Sequence, residues 1–389
     1  MSDLISSFET KIKIISPNDS YHYFFGYYDM RATGDKINQR HLAHRVKFMD
    51  RLPTEEDICE VGYIENGGFY KIGETTAWNF QQGAMLQYHP KEEDTVFYNV
   101  VKDKSFVTVT HNFKSGKKHY TDMAVASVSH DGKLGLSLNF GRIFDFRPGY
   151  GYAGYKDKYA DCNAPMEDGV FLTDMESGRS VLLISYTDIL RKSGFSENEK
   201  ILVNHITFSP SSDKYVMLVR NFYNGNEGDW KTSLMLGDTE GNVRTLIEKS
   251  FVSHYYWISE KELVLFAEPE SMPPKVYVLD VTTGEARAFE SDYFNIAPNP
   301  DIHCTITPDR KYIIGDGYPI NGYRHILAIN LESKKSASII KAKTVIPECG
   351  DIRCDLHARY VFNGSAVSFD TTHNGRREIA VFPISEIKV

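Results

Sequence analysis

HITFSPSSDKYVMLVR, residues 205–220, is two runs of apolar and β-branched residues joined by a turn of Ser, Pro and Asp. Alternation on either side of such a turn reads as a β-hairpin. The same grammar returns in HYYWISEKELVLFA from His254, HCTITPDRKYIIGDG from His303 and HARYVFNGSAVSFD from His357. Two more copies lie upstream, AMLQYHPKEEDTVFYN from Ala84 and VASVSHDGKLGLSLN from Val125. Between them run further strand pairs, such as SLMLGDTEGNVRTLIE and KVYVLDVTTGEARAFE. Two hairpins per repeat, recurring at roughly fifty residues, make the four-stranded antiparallel blade of a propeller. HYFFGYYDM followed by HLAHRVKFMD supplies a degenerate further copy. The expectation is therefore an all-β, single-domain, seven-bladed β-propeller over residues 1–389. The last strand, EIAVFPIS, should close the ring against N-terminal strands and so remove the exposed edges.

Two stretches break the pattern. Residues 185–200 have the spacing of a helix, and residues 141–168, GRIFDFRPGYGYAGYKDKYADCNAPMED, match neither period and read as an inter-blade insertion. Long irregular loops in compact domains usually carry function.

Composition narrows the classes. Of 389 residues, 41% are hydrophobic and 25% charged, which supplies an ordinary globular core, and the 13% aromatic content suits strands. The formal charge is −8 and no Lys/Arg-dense run occurs, which argues against nucleic acid as a partner. The opening MSDLISSFETKIKIIS lacks the basic start and apolar run of a signal peptide, and no window has the length of a membrane span. Five cysteines form no small-domain disulfide framework. The expectation is a cytoplasmic protein with reduced thiols.

Candidate site residues fall into three groups. The first is the histidine that opens the inner strand of four successive repeats: His205, His254, His303 and His357. Asp301, Cys304, Cys349, Cys354 and Asp355 surround the last two, and His with Cys suits Zn²⁺ while added carboxylates admit Mn²⁺. His254, His303, Cys354 and His357 are the expected metal ligands. The second group is basic and phenolic: Arg142, Arg147, Tyr150 and Tyr152 in the insertion, with Arg220 closing the His205 hairpin. A guanidinium offers a planar fork that matches a carboxylate. The third is HLAHR, with His41 and His44, together with Gln82 in WNFQQG. Buried, hydrogen-bonded packing is the competing explanation for each group.

The hairpins HITFSPSSDKY, HCTITPDRKYIIGDGYP and DLHARYVFNGSAVSFDTTHNGRREI resemble blades of the propeller-type polysaccharide lyases, the oligogalacturonate and ulvan lyases, over most of the chain from about Val203 onward. That resemblance implies β-elimination on an acidic, uronate-containing oligo- or polysaccharide, with a divalent metal. It implies His205 as base and His254 and His303 as metal ligands. On the ulvan-type pattern it implies a catalytic set of His44, Tyr150 and Arg142. Arg220, Arg147, Tyr152, Gln82 and His41 are then the expected substrate contacts. Gln82 stands where some of these lyases present a second channel histidine. The alternatives are a propeller of surface-polysaccharide biosynthesis or sugar binding without elimination, a protein-interaction platform, and a glycoside hydrolase using carboxylates such as Asp168, Asp301 and Asp316.

Overall fold

The computed structural model describes residues 6–7, 12–34, 40–222, 230–297, 299–347, 349–387 and 389. Its strands form six sheets, five of four or five strands and one of seven, antiparallel apart from the parallel pairing of Ser6–Ser7 with Ser336–Lys343. The seven-stranded sheet divides at the 15-residue strand Val243–Trp257, whose first part pairs with Thr232–Asp238 and whose second part pairs with Glu262–Glu268. Counted whole or as two four-stranded parts, it gives six or seven sheets around the ring. The four inner strands named by the hairpins are Ile201–Phe208, the end of Val243–Trp257, Ile302–Ile306 and Arg359–Val361. The ring closes as expected: Glu378–Pro383 pairs antiparallel with Lys13–Ile14, so the last blade takes its outer strand from the N-terminal end.

The hairpin turns obey their chemistry. Ser212 and Arg310 adopt φ of 62° and 57° in SPSSDK and TPDRK, and Asn363 adopts 55° in FNGS. The turn residues Ser209 and Thr307 cap these loops with their own hydroxyls. Blade faces then pack on one another through fully buried apolar side chains such as Val216, Leu218, Ile314 and Phe369.

Inner strands are not regular. Register shifts fall between Asn204 and Ile206 and between Val252 and Tyr255. His205 and His357 take φ of 56° and 46°. A bulge sets an extra residue into one strand and re-aims its side chain. Here the extra residues are His205 and the Ser253–His254 pair. Non-glycine residues at positive φ cost about 1–3 kcal/mol each and persist where surrounding structure enforces them.

Part of the degenerate copy read in HYFFGYYDM leaves its sheet. After the strand His22–Phe24 the chain crosses the axial channel before returning to the strand His41–Val46. Phe25 and Gly26 donate their amides to Asp370, at 3.1 and 2.8 Å. Tyr28 donates to the carbonyl of Tyr255 at 3.2 Å. Gly26 sits at φ +97° with Gln82 backbone 2.9 Å from where a Cβ would stand, so only glycine fits. Residues 25–33 thus plug the axis with aromatic side chains.

The insertion is partly helical. Asn139 caps a helix over Phe140–Phe146 by accepting from the Arg142 amide, and the rest of 147–168 is irregular. The expected helix at 185–200 is confined to Tyr186–Lys192.

Candidate active site and metal centre at the channel mouth

The plug and the bulges bring His205, His254, His303 and His357 together at one mouth of the channel. The ring centres of His254 and His303 lie 4.0 Å apart, and those of His303 and His357 lie 4.5 Å apart. Tyr27 stacks flat on His205 at 5.5 Å, while Tyr150 meets the same ring edge-on at 5.5 Å.

Each imidazole has a different set of partners. His357 donates from Nδ1 to the carbonyl of Gly26 at 2.9 Å, which places its lone pair on Nε2. His254 donates from Nδ1 to Asp301 at 2.8 Å, and its Nε2 is likewise left with a lone pair. His303 Nδ1 lies 3.5 Å from Asp316, too poorly aligned to count as a hydrogen bond, and has no other partner among the described residues. His205 meets Gln82 at 3.3 Å through Nδ1. Burial, reinforced by Arg220 and His254, holds His205 well below the usual range. Burial also lowers His254, against the pull of Asp301. For His303 burial acts downward too, but Asp316 and Asp355 outweigh it and raise the ring.

His303, Asp355 and His357 present ligand atoms that all lie within 4.8 Å of one another. The Nε2 atoms of His303 and His357 are 3.9 and 4.0 Å from Asp355 Oδ2, too far for hydrogen bonds. All three side chains are buried; His303 Nδ1 makes no hydrogen bond, whereas Asp355 Oδ2 lies 2.8 Å from Arg353 Nε. A buried nitrogen left without a partner is costly unless something else meets it. Two nitrogens and one oxygen suit Zn²⁺ or Mn²⁺. The same carboxylate pairs with Arg324 at 2.6 Å and Arg353 at 2.8 Å, and these hold Asp355 well below the ordinary carboxylate range despite its burial. A cation would therefore share its carboxylate with two guanidiniums, which weakens its hold.

Three arginines from the sequence reading end in different places. Arg220 is buried, its Nε has no partner, and no carboxylate pairs with it among the described residues. Its Nη2 makes a long hydrogen bond, 3.5 Å, to the carbonyl of Val252, and the guanidinium lies 5.6 Å over the Trp230 ring. Burial, with Arg147 nearby, lowers it to about 10. Arg147 is paired with Asp351 at 2.7 Å and lies over the Tyr150 ring at 4.6 Å. Tyr150 accepts from Arg353 at 2.9 Å, so its own hydroxyl proton is free to point elsewhere.

Arg142 is a correction. It is fully buried, pairs with Asp157 at 3.0 Å and donates to the carbonyls of Ile201, Tyr159, Cys162 and Asn163. Its donors are spent on the insertion and on Ile201, so it pins the loop. His44 is a second: it is wholly buried, stacks on Phe24 at 4.9 Å and accepts the Ala84 amide at 2.9 Å. His41 is a third, held between the Leu42 carbonyl at 2.6 Å and Ser368 at 2.8 Å. Burial drives both histidines down to about 3. Tyr152 is a fourth, stacked on Phe140 at 4.3 Å with its hydroxyl accepting from Asn99 at 3.0 Å. Cys354 is the last: its thiol is buried and raised to about 12 by that burial, and the ligand atom at this level comes from Asp355 instead.

Sequence reasoning placed Asp301 and Asp355 around the histidines as carboxylates that would admit Mn²⁺, but it left Asp355 out of the ligand set and did not pair Asp301 with His254. Asp355 and His357 are two apart in a segment that precedes the strand Arg359–Val361, and His357 takes φ of 46°, so strand alternation does not account for their meeting.

No family model and no curated protein matches the sequence. Solved structures do match. An oligogalacturonate lyase in complex with manganese superposes with a TM-score of 0.64 at 13% identity, over 96% of this chain and 97% of that one. An oligogalacturonate lyase from Vibrio parahaemolyticus gives 0.65 at 13% identity, over 98% and 96%. A puromycin hydrolase gives 0.52 at 11% identity, over 98% of this chain but 55% of that one. At such identities the likeness is one of fold: the chain is a β-propeller that resembles the oligogalacturonate lyases along nearly its whole length.

Proposed function

We propose that the protein is a lyase that cleaves uronate-containing oligosaccharides by β-elimination at the histidine-lined mouth of the channel. The observation that carries the reading is Arg220, a buried guanidinium without a carboxylate partner among the described residues, set near His205, Tyr27 and Tyr150. An unpaired buried charge is unfavourable on its own and becomes favourable when a ligand carboxylate meets its fork.

The roles follow from the hydrogen bonds. Arg220 binds the uronate carboxylate. His254, oriented by Asp301 through Nδ1, takes the proton from the carbon beside that carboxylate with its free Nε2. This reassigns His254 from ligand to base, the part first expected of His205. The carbon–hydrogen bond breaks, a carbon–carbon double bond forms, and the bond to the glycosidic oxygen breaks. Tyr150, with its proton free, hands that proton to the departing oxygen. His205, clasped between Tyr27, Tyr150 and Gln82, orients the sugar. A divalent cation held by His303, Asp355 and His357 would supply Lewis-acid stabilisation of the charge that builds on the substrate carboxylate.

The test is ultraviolet absorbance over time on a panel of uronate oligosaccharides, oligogalacturonates among them. A rising signal from an unsaturated product, lost in His254→Ala and in Arg220→Ala while both variants stay folded, supports the proposal. A flat trace from folded wild-type protein, loaded with Mn²⁺ or Zn²⁺, across the whole panel would overturn it.

A further inference from the structure

The two guanidiniums on Asp355 are not equivalent. Arg324 is on Oδ1: its Nη2 lies 2.6 Å from that oxygen, its Nη1 donates to the Gly317 carbonyl at 2.7 Å, and only 2% of its side chain is exposed. Arg353 straddles both oxygens. Its Nε donates to Oδ1 at 3.1 Å and stands 2.8 Å from Oδ2, the oxygen that lies 3.9 and 4.0 Å from the imidazoles of His303 and His357. Its other nitrogens reach the Tyr150 hydroxyl at 2.9 Å and the Gly350 carbonyl at 3.1 Å, and 14% of the side chain is exposed.

A divalent ion on Oδ2 would bring charge into this arrangement. Metal–oxygen bonds of about 2.0–2.2 Å and the 2.8 Å separation put such an ion no more than about 5 Å from Arg353 Nε. Like charges at that range repel far more strongly in a buried site than in water. The carboxylates of Asp316 and Asp355 are already matched in number by Arg324 and Arg353, so two further positive charges leave the cluster in excess. Arg324 is locked in by its burial, by Gly317 and by Asp316 at 3.7 Å. Arg353 directly follows the single helical turn Gly350–Ile352 and is the more open of the two, so it is the member that can withdraw.

We propose that Arg353 is a displaceable counter-ion of the metal centre, which holds Asp355 while no ion is bound and yields it to a divalent cation, and so sets how tightly that centre binds. The inference rests on the metal centre read from His303, Asp355 and His357. The same guanidinium donates to Tyr150, so its withdrawal also changes the setting of that hydroxyl.

The experiment is titration calorimetry of the chelator-stripped full chain with Mn²⁺, with thermal melting to verify that each variant is folded. Arg353→Met should tighten Mn²⁺ binding tenfold or more, and adding His303→Ala should abolish it. Arg147→Met is the control: its guanidinium pairs with Asp351 at 2.7 Å, so losing it should change the affinity less than threefold. If Arg353→Met does not fold, Arg353→Gln takes its place with the same expectation. Binding by Arg353→Met where the wild type shows none is the expected result in its strongest form. Unchanged or weaker binding in the folded variant, an equal gain in Arg147→Met, or a gain that survives His303→Ala would overturn the proposal. Binding lost in His303→Ala but not tightened in Arg353→Met would do so while leaving the metal centre standing. No Mn²⁺ binding by the wild type or by either Arg353 variant would overturn both.

Discussion

Arg142→Met separates a structural arginine from a catalytic one. The side chain and that of Asp157 are both wholly buried, and their ion pair is 3.0 Å long. Truncating the guanidinium leaves Asp157 charged and unpaired by it, and strips a donor from the carbonyls of Ile201, Tyr159, Cys162 and Asn163. Breaking one partner of a buried pair costs about 3–5 kcal/mol. Asp157 keeps the Asn139 side chain at 2.9 Å and the Tyr159 amide at 2.9 Å, which argues for the lower half of that range. Since folded proteins are stable by roughly 5–15 kcal/mol, the variant should fold but unfold early. Urea denaturation followed by circular dichroism reads the change, with comparable slopes required for the comparison. Adding Asp157→Asn should cost less than the sum of the two single changes, because the stranded charge is gone. A loss below about 1 kcal/mol, or a variant of unchanged stability that no longer turns over uronates, would refute the structural role.

Three further outcomes follow from the same geometry. Arg220→Met should raise stability by roughly 1–3 kcal/mol, since it removes an unpaired buried charge, while abolishing uronate binding in calorimetry; a destabilised variant would mean the guanidinium has a partner in the folded chain. Burial holds His41 and His44 at about 3 against an ordinary 6.5, so the unfolded chain binds more protons between those values. Stability is then whole above about pH 6.5 and falls as pH drops towards 3, by at most about 2.7 kcal/mol per pH unit for the two groups; the slope should flatten in a His41→Gln/His44→Gln variant, and an unchanged slope would contradict their burial as neutral rings. Mn²⁺ at a hundred times its dissociation constant should stabilise the protein by about 2.7 kcal/mol in thermal melts, and the shift should vanish in His303→Ala; a shift that survives would place the ion elsewhere.

The ring was legible because its signals are local. Each SPSSDK-type turn sits between alternating strands, and the repeat spacing needs nothing beyond counting. The four histidines were legible for the same reason, as one residue type at one place in successive hairpins. What escaped was set by tertiary contact. Nothing periodic marks residues 25–33 as an axial plug, since their amides and rings find partners hundreds of residues away, as with Gly26 and Asp370. HLAHR reads equally well as a channel strand or a core strand, and only the packing of Phe24 on His44 decides it. Arg142 has the residue type that binds carboxylates, and its satisfaction by loop carbonyls appears only once the insertion folds. Bulges, too, leave no sequence mark here, yet they aim His205 and His254.

The central claim is elimination, and product oxygen tests it most directly. Uronate oligosaccharides are incubated with metal-loaded protein in water enriched in heavy oxygen, and the fragments are weighed by mass spectrometry. Elimination predicts an unsaturated fragment and no heavy oxygen in either product. Heavy oxygen at the new chain end, without unsaturation, would mean hydrolysis and would contradict the account.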